Sequence, residues 1–176
     1  LIFIGRLDSY KRVDWLIAAL PSGGGTALHI VGDGPRRAAL EAQAAGSPTA
    51  AWITFHGRLD ETAKQDLIAT SDLLVLPADR SNEAFGIVQL EAMVFGVPAL
   101  SLERPRSGTA WVNGLAGVLA RHDVAPVRDV RGLAEAIRVL RERPACWLEA
   151  ARAARSRYEA VFARSVLLAQ VLDLTR

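Results

Sequence analysis

The sequence predicts an α/β protein with a doubly wound parallel sheet of about six strands and helices on both faces. Three observations carry this prediction. The 176 residues are 51% apolar and 23% charged, which is ordinary for a globular domain with one core. Short apolar runs alternate with segments of helical periodicity, and turns rich in Gly and Pro separate them. Strands that alternate with helices favour parallel pairing through right-handed crossovers.

Each predicted strand is a short apolar run bounded by turn residues. The six are LIFIG (1–5), LHIVG (28–32), WITFHG (52–57), DLLVLP (72–77), VPALS (97–101) and GVLA (117–120). The segment 104–116, which precedes the last of them, is predicted to be a long loop.

The first helix is predicted over residues 11–20. Val13, Leu16, Ile17 and Leu20 recur at the spacing of one helix face, so this face is expected to pack on the sheet.

The later helices have start and stop signals. Pro35 suits the first residue of the second helix, and Asp60 is a candidate N-cap of the third. The fourth begins near Ile87 and stops at Gly96, and the chain from about Asp129 onward is predicted to be helical.

Composition excludes several classes of protein. The net charge is only +2 and the basic residues are scattered, which gives no footprint for nucleic acid. Cys146 is the only cysteine, so a disulfide within the chain is excluded and a reducing compartment, the cytoplasm, is expected. No apolar run approaches the roughly 20 residues of a membrane span. Because the chain starts inside an apolar run without Met, we expect residues 1–176 to be one domain of a longer protein.

The first strand-to-helix turn, GRLDSYKR, concentrates positive charge. Arg6 follows the strand, and Lys11 and Arg12 open the predicted helix. Cations oppose the helix dipole there, at a cost of roughly 0.3–1 kcal/mol each, unless an anion such as phosphate is bound. The alternative is that Lys11 and Arg12 point to solvent or pair with Asp8 and Asp14.

The segment EAFGIVQLEAM places two carboxylates around a glycine. Glu83 precedes the fourth helix, Gly86 allows a ligand to approach the backbone closely, and Glu91 lies one turn beyond Ile87 on the same face. Helix-start N–H groups suit phosphate, and carboxylates accept from sugar hydroxyls. A nucleotide sugar offers both. The alternative is that Glu83 caps the helix and Glu91 is buried against an arginine.

Two other features are given mainly structural interpretations. The glycines of VGDGP fit a tight strand-to-helix turn, and the segment lacks the full dinucleotide fingerprint. The three histidines lack metal-ligand spacing. We interpret His29 as structural, whereas His56 is either structural or part of a ligand pocket.

Four segments together resemble the C-terminal, donor-binding domain of family 4 retaining glycosyltransferases, which have the two-domain GT-B architecture with a Rossmann-like sheet. In chain order they are GRLDSYKRVDWLIAAL, LHIVGDGPRRAALE, ITFHGRLDETAKQDLIATSDLLVLPA and EAFGIVQLEAMVFGVPALS. SGTAWVNGLAGVLA resembles the next segment in a bacterial branch that builds polysaccharide units on lipid carriers. Ala78, Asn82 and Ala84 depart from the common pattern, which puts the identity of the hexose in doubt.

The resemblance implies roles for the catalytic residues Arg6, Lys11 and Glu83. Arg6 and Lys11 match the pair that neutralises the donor diphosphate and stabilises the departing nucleoside diphosphate. They replace a metal ion, so no metal or other cofactor is expected. Glu83 matches the residue that contacts the donor hexose, and Glu91 the one that binds the ribose diol.

The resemblance also implies a set of donor-binding residues around them. The backbone N–H groups of Phe85, Gly86 and Ile87 match a loop that reaches sugar hydroxyls and the distal phosphate. Gly5 gives the phosphate room, and Arg58 lies where the base is held.

By this resemblance, the parent enzyme transfers a hexose from GDP-mannose or a UDP-hexose to a glycan or lipid-linked acceptor hydroxyl. The acceptor domain is expected in a missing N-terminal half, which residues 165–176 contact as a crossover helix. The isolated fragment should then be inactive, and the whole enzyme cytoplasmic or peripheral on the inner face of the membrane. The alternatives are a nucleotide-sugar epimerase, a phosphorylase and a non-catalytic binding module. The phosphorylase is disfavoured because it needs a cofactor-bearing lysine and only Lys11 and Lys64 are available.

Overall fold

The computed structural model describes residues 1–80, 83 and 85–174, and the side chains among them except those of 169 and 171–174. The expectations for Asn82, Ala84 and the last two residues of the predicted crossover helix lie outside this range. Five parallel strands form one sheet in the order β3-β2-β1-β4-β5. Their bounds are β1 Ile2–Ile4, β2 Leu28–Val31, β3 Ile53–Gly57, β4 Leu74–Leu76 and β5 Ala99–Ser101.

Helices follow the strands and continue to the end of the described chain. They are α1 Val13–Ala19, α2 Arg37–Ala45, α3 Glu61–Ala69, α4 Val88–Val94, α5 Thr109–Asn113, α6 Leu115–Arg121, α7 Val130–Glu142, α8 Pro144–Arg157 and α9 Arg164–Leu174. Short 3₁₀ turns cover Ser9–Lys11 and Ala50–Trp52, and a π turn covers Tyr158–Phe162. Within the described range, no helix is both long and apolar enough to cross a bilayer.

The strand order places a topological switch point between β1 and β4. From β1 the chain adds β2 and then β3 on one side, and it returns to add β4 and β5 on the other. Ile2 of β1 is in register with His29 of β2 and with Leu74 of β4. The carboxyl ends of β1 and β4 are therefore neighbours, and this crevice is where open α/β sheets bind ligands.

The core confirms the five strands from LIFIG to VPALS and the apolar face of the first helix. Val13, Leu16, Ile17 and Leu20 are at most 6% exposed. Burial of each such side chain contributes about 1.5–3 kcal/mol, which is why a seven-residue helix is stable here. Cys146 is also fully buried in the core.

The predicted sixth strand is wrong, because residues 117–120 lie within α6. The buried residues of α6 are Leu115, Val118 and Leu119, which have the i, i+3, i+4 spacing of a helix face. This face packs in the main core, and α6 contacts α8. The predicted long loop over 104–116 is likewise interrupted by α5.

The helix boundaries confirm most of the predicted signals. Asp60 caps α3, because its Oδ1 accepts a hydrogen bond from the backbone N–H of Ala63 at 2.8 Å. The fourth helix begins beside Ile87 and ends before Gly96, as predicted. Pro35 lies in a turn just before α2 instead of inside it, since Arg36 is the N-cap.

The structure confirms that the glycines of VGDGP are needed for close backbone contact. A Cβ atom on Gly32, which has a φ of 127°, would lie 2.0 Å from the carbonyl oxygen of Gly5. One on Gly34 would lie 2.5 Å from that of Leu7. The turn after β2 therefore packs directly on the turn after β1, which leads into the first predicted binding segment.

We expect Gly32→Ala to lower the free energy of unfolding by at least about 2 kcal/mol, because the added methyl overlaps a fixed carbonyl. Gly23→Ala is the matched control, since a Cβ there would have no neighbour within 4 Å. It should change the free energy by less than about 1 kcal/mol. Urea denaturation of both variants measures the difference, and equal stabilities would contradict this packing.

Candidate functional site

Lys11 and Glu83 form an ion pair across the switch point. Lys11 ends the 3₁₀ turn after β1, and Glu83 lies in the loop between β4 and α4. The Lys11 Nζ donates a hydrogen bond to Glu83 Oε2, and the two side chains are only 11% and 14% exposed. The structure thus brings together two residues that were predicted to share one site, although they are 72 positions apart in the chain.

Two predicted glycines lie close to this pair. A Cβ atom on Gly5 would lie 3.8 Å from Lys11 Nζ, and one on Gly86 would lie 3.5 Å from Glu83 Oε1. Gly86 has a φ of 70°, a left-handed conformation that glycine adopts at no steric cost. Neither glycine places a side chain between the backbone of its loop and the ion pair, although Gly86 itself is buried against Leu76 and Gln89.

The flanking residues Phe85 and Ile87 are exposed beside Gly86, at 36% and 69%. The Phe85 ring is supported on one side, where it meets the Phe162 ring edge-on at 5.8 Å between centroids. The loop therefore presents apolar side chains to solvent directly beside the ion pair.

Arg6 and Arg58 lie apart from this ion pair. Arg6 is 69% exposed, and its Nε is 3.6 Å from Asp8 Oδ2. Arg58 is exposed just beyond β3, two strands away from β1 in the sheet. In the described part of the chain, neither arginine forms an ion pair with Glu83. Both side chains are free to reorient in solvent.

Glu91 has a lysine partner that the sequence interpretation missed. Its Oε2 lies 2.8 Å from Lys64 Nζ on α3, and the same ammonium is 3.0 Å from Glu61 Oε2. Glu91 is a third exposed, so it is not buried against an arginine. The hydrogen bond to Glu91 is the largest cause that raises the pKa of Lys64, so this ammonium stays charged at neutral pH.

Both lysines of this arginine-rich chain are paired with the two predicted carboxylates. Lys11 contacts Glu83, and Lys64 contacts Glu91. This rarity of lysine is the sequence signal that would have found Lys64.

A buried polar network holds the first turn of α4, and the sequence interpretation missed it as well. Gln89 is fully buried, and its Nε2 donates to the carbonyl oxygen of Phe85 at 2.8 Å. Asn113 of α5 donates from Nδ2 to Gln89 Oε1 at 2.7 Å and contacts Ser101 Oγ of β5 at 2.8 Å. Ser107 Oγ donates to the carbonyl oxygen of Glu83 at 2.9 Å. Because satisfied buried networks are rigid, they fix the loop that carries Glu83.

The alternative for the first turn is correct for one of its two residues. Arg12 does pair with Asp14, at 2.8 Å between Nη2 and Oδ2. Lys11 instead pairs with Glu83.

The histidines contact each other. His29 Nδ1 lies 3.0 Å from His56 Nε2 across β2 and β3. Burial is the main cause that lowers the pKa of His29.

A cavity of about 490 Å³ lies at the amino ends of the strands, opposite the carboxyl ends. Leu1, Ala27 and Leu73, which precede β1, β2 and β4, line it. It is therefore separate from the site at the carboxyl ends.

Comparisons with known proteins agree on one family. Residues 1–143 match the family model described as Glycosyl transferases group 1. Glycogen synthase of Mycobacterium tuberculosis is 39% identical over 166 residues, which cover 92% of this chain and 38% of that protein. A GDP-mannose-dependent alpha-(1-6)-phosphatidylinositol dimannoside mannosyltransferase of the same species is 34% identical over 149 residues, 82% of this chain and 36% of that protein.

A solved structure shows the same fold. A mutant of TarM from S. aureus, in complex with fondaparinux, alpha-GlcNAc-glycerol and UDP, superposes with a TM-score of 0.76 at 18% identity. The match covers 98% of this chain and 35% of TarM. This chain thus spans well under half of the length of each of these proteins.

We expect the Lys11–Glu83 pair to stabilise the protein measurably. A double-mutant cycle of Lys11→Met and Glu83→Gln should give a coupling energy of about 1–3 kcal/mol, because both groups are largely buried. The exposed Arg6–Asp8 pair is the matched control and should give no more than about 0.5 kcal/mol. Urea denaturation of the four variants in each cycle provides both energies. Equal couplings would show that the Lys11–Glu83 contact is absent in solution.

Proposed function

Because the chain belongs to the group 1 glycosyltransferases and has the fold of a GT-B domain, we propose that it is the donor-binding domain of a retaining, family 4 enzyme. The parent enzyme transfers a hexose from a nucleoside diphosphate sugar to a hydroxyl of a glycan or lipid-linked acceptor.

One observation carries the proposal for the site: Lys11 and Glu83 meet at the switch point between β1 and β4. A pyrophosphate needs a cation and bare backbone, and a hexose needs a carboxylate acceptor for its hydroxyls. The crevice brings the cation and the carboxylate together, and a glycine without a side chain lies close to each, Gly5 to the ammonium and Gly86 to the carboxylate.

In this proposal the donor breaks the Lys11–Glu83 ion pair and contacts both of its partners. The diphosphate takes the Lys11 ammonium, and the freed Glu83 carboxylate accepts from the hexose hydroxyls. Arg6, exposed and held by a single loose contact to Asp8, turns toward the second phosphate. As the sugar–phosphate bond breaks, negative charge grows on the departing diphosphate, where both cations stabilise it. Two cations fill the role of a metal ion, so we propose that the reaction needs no metal or other cofactor.

The other residues bind the nucleotide and the sugar in this scheme. Glu91 accepts from the ribose diol, and the contact with Lys64 orients that carboxylate. The backbone of Phe85, Gly86 and Ile87 contacts sugar hydroxyls and the distal phosphate. Arg58, which is exposed beyond β3, moves over the base.

The mannosyltransferase relative supports GDP-mannose as the first donor to test, with a UDP-hexose as the second. We propose that the acceptor is held by an N-terminal domain outside this chain, and that α9 packs against that domain through Leu167 and Leu168, which are 46% and 51% exposed. The enzyme would work in the cytoplasm or on the inner face of the membrane, and this chain alone would bind donor without transfer.

We expect Lys11→Ala or Arg6→Ala in the full-length enzyme to lower turnover on the order of 10²–10³-fold, because each removes a positioned charge from the developing diphosphate. Arg138→Ala is the control, since among the described residues Arg138 pairs with Glu135 and Glu142 alone, on the surface of α7. Release of nucleoside diphosphate and formation of the glycoside are measured together. Near-normal turnover in both site variants would refute the assigned role, and an epimerised nucleotide sugar without glycoside would identify an epimerase.

We expect Glu91→Ala to weaken nucleotide binding on the order of 10–100-fold, because it removes a charged acceptor for the ribose diol. Calorimetric titration of the 176-residue protein with GDP and UDP measures this effect. Glu135→Ala, remote on α7, should bind as the unmodified protein does. Unchanged affinity in Glu91→Ala would exclude Glu91 from the ribose site.

A further inference from the structure

Arg12 adopts a backbone conformation that normally belongs to glycine. Its φ of 52° and ψ of 38° are left-handed, where the 3₁₀ turn ends and α1 begins. Only Arg12, Arg106 and Asp123 combine a side chain with a positive φ in the described part of the chain. Glycine would adopt this conformation at no steric cost. An arginine at this position therefore indicates that its side chain makes contacts that offset the cost of the backbone strain.

The Arg12 guanidinium joins the two loops of the site. Nη2 lies 2.8 Å from Asp14 Oδ2 in α1, and Nη1 lies 3.4 Å from Asp79 Oδ2 in the loop after β4. The guanidinium carbon is 4.1 Å from the centre of the Trp15 ring, which fixes its plane. The backbone N–H of Asp79 donates to the carbonyl oxygen of Tyr10 at 2.9 Å. A main-chain hydrogen bond and a side-chain contact therefore join the same two segments.

The Arg12–Asp79 contact is largely withdrawn from water. The two side chains are 27% and 23% exposed. Arg12 Nε and Asp79 Oδ1 are buried, and neither has a hydrogen-bond partner among the described residues. Arg12 is also paired with Asp14, whereas Asp79 has no second cationic partner among the described residues, so loss of Arg12 leaves the Asp79 charge uncompensated.

We propose that Arg12 is a positioning residue that keeps the turn after β1 and the loop after β4 at a fixed separation while the donor is bound. This inference rests on the proposed function. Lys11 precedes Arg12 directly, and Asp79 lies four residues before Glu83, so the two ion pairs cross the same gap. When a diphosphate takes Lys11 from Glu83, the gap loses one of its two ion pairs. The Arg12–Asp79 bridge remains and holds Lys11 and Glu83 in place for the transfer step.

The test is Arg12→Gly in the full-length enzyme. Glycine relieves the backbone strain while it removes the contacts of the Arg12 side chain with Asp79, Asp14 and Trp15, so the melting temperature should fall only modestly. We expect kcat to fall at least about tenfold and KM for the nucleotide sugar to change less than about threefold, since Arg12 itself does not touch the donor. Asp123→Gly is the matched control, because Asp123 has a φ of 61° on an exposed turn after α6. It should leave kcat and KM unchanged.

Asp79→Asn gives a second, independent variant. It should reproduce the fall in kcat, and the double variant with Arg12→Gly should be no slower than either single variant. Additive losses in the double variant would contradict a shared bridge. An unchanged kcat in Arg12→Gly, or a raised KM with normal kcat, would overturn the positioning role, the second because it shows direct donor binding.

Amide hydrogen exchange separates this inference from the proposed function. In the protein without donor, Arg12→Gly should accelerate exchange at the Asp79 and Glu83 amides at least about tenfold, whereas Asp123→Gly should not. Unchanged exchange would refute the bridge whatever the enzyme transfers. If exchange accelerates but the unmodified enzyme turns over no nucleotide sugar, the proposed function fails and the bridge stands.

Discussion

The contact on which the site depends is an ion pair between a lysine and a glutamate that strand order alone brings together. Lys11 follows β1 and Glu83 follows β4, and these strands are neighbours because the chain reverses its direction of strand addition between them. With 11% and 14% of their side chains exposed, neither charge is well hydrated. The two charges are therefore stabilised only while they contact each other or while a charged ligand takes the place of one of them. A donor with a negative diphosphate and hydroxyl groups on its sugar can replace both.

The choice of lysine fits this exchange. The chain has 21 Lys and Arg residues, yet both of its lysines contact the two carboxylates of the site. An ammonium is a compact charge that turns between partners, whereas a guanidinium holds a fixed fork geometry. Arg12 shows the complementary choice, since its planar group lies over Trp15 between two aspartates and holds the loops still. In the proposed site, the lysines are thus the charges that can change partner, and Arg12 is the charge that stays in place.

Five of the six predicted strands are confirmed, and Lys11 and Glu83 were predicted to share one site, because these features depend on local pattern and on motif resemblance. Residues 117–120 were assigned to a strand because four apolar residues do not distinguish a strand from a helix face. The left-handed Gly114 at the start of α6 and the packing of α6 against α8 favour the helix. The Lys64–Glu91 pair was missed although the chain has only two lysines. The Gln89–Asn113 hydrogen bond could not be predicted, since it joins residues more than 20 positions apart on different helices. The left-handed backbone of Arg12 was also hidden, because only the packing around it reveals the strain.

The most direct measurement compares GDP with GMP by calorimetry, on the 176-residue protein and on its Lys11→Met variant. If a diphosphate replaces Glu83 as the partner of Lys11, the unmodified protein binds GDP more tightly than GMP, and Lys11→Met loses most of that preference while its affinity for GMP is retained. The same comparison with UDP and UMP covers the second base. A preference for diphosphate that survives the loss of Lys11, or no preference in the unmodified protein, would contradict the account.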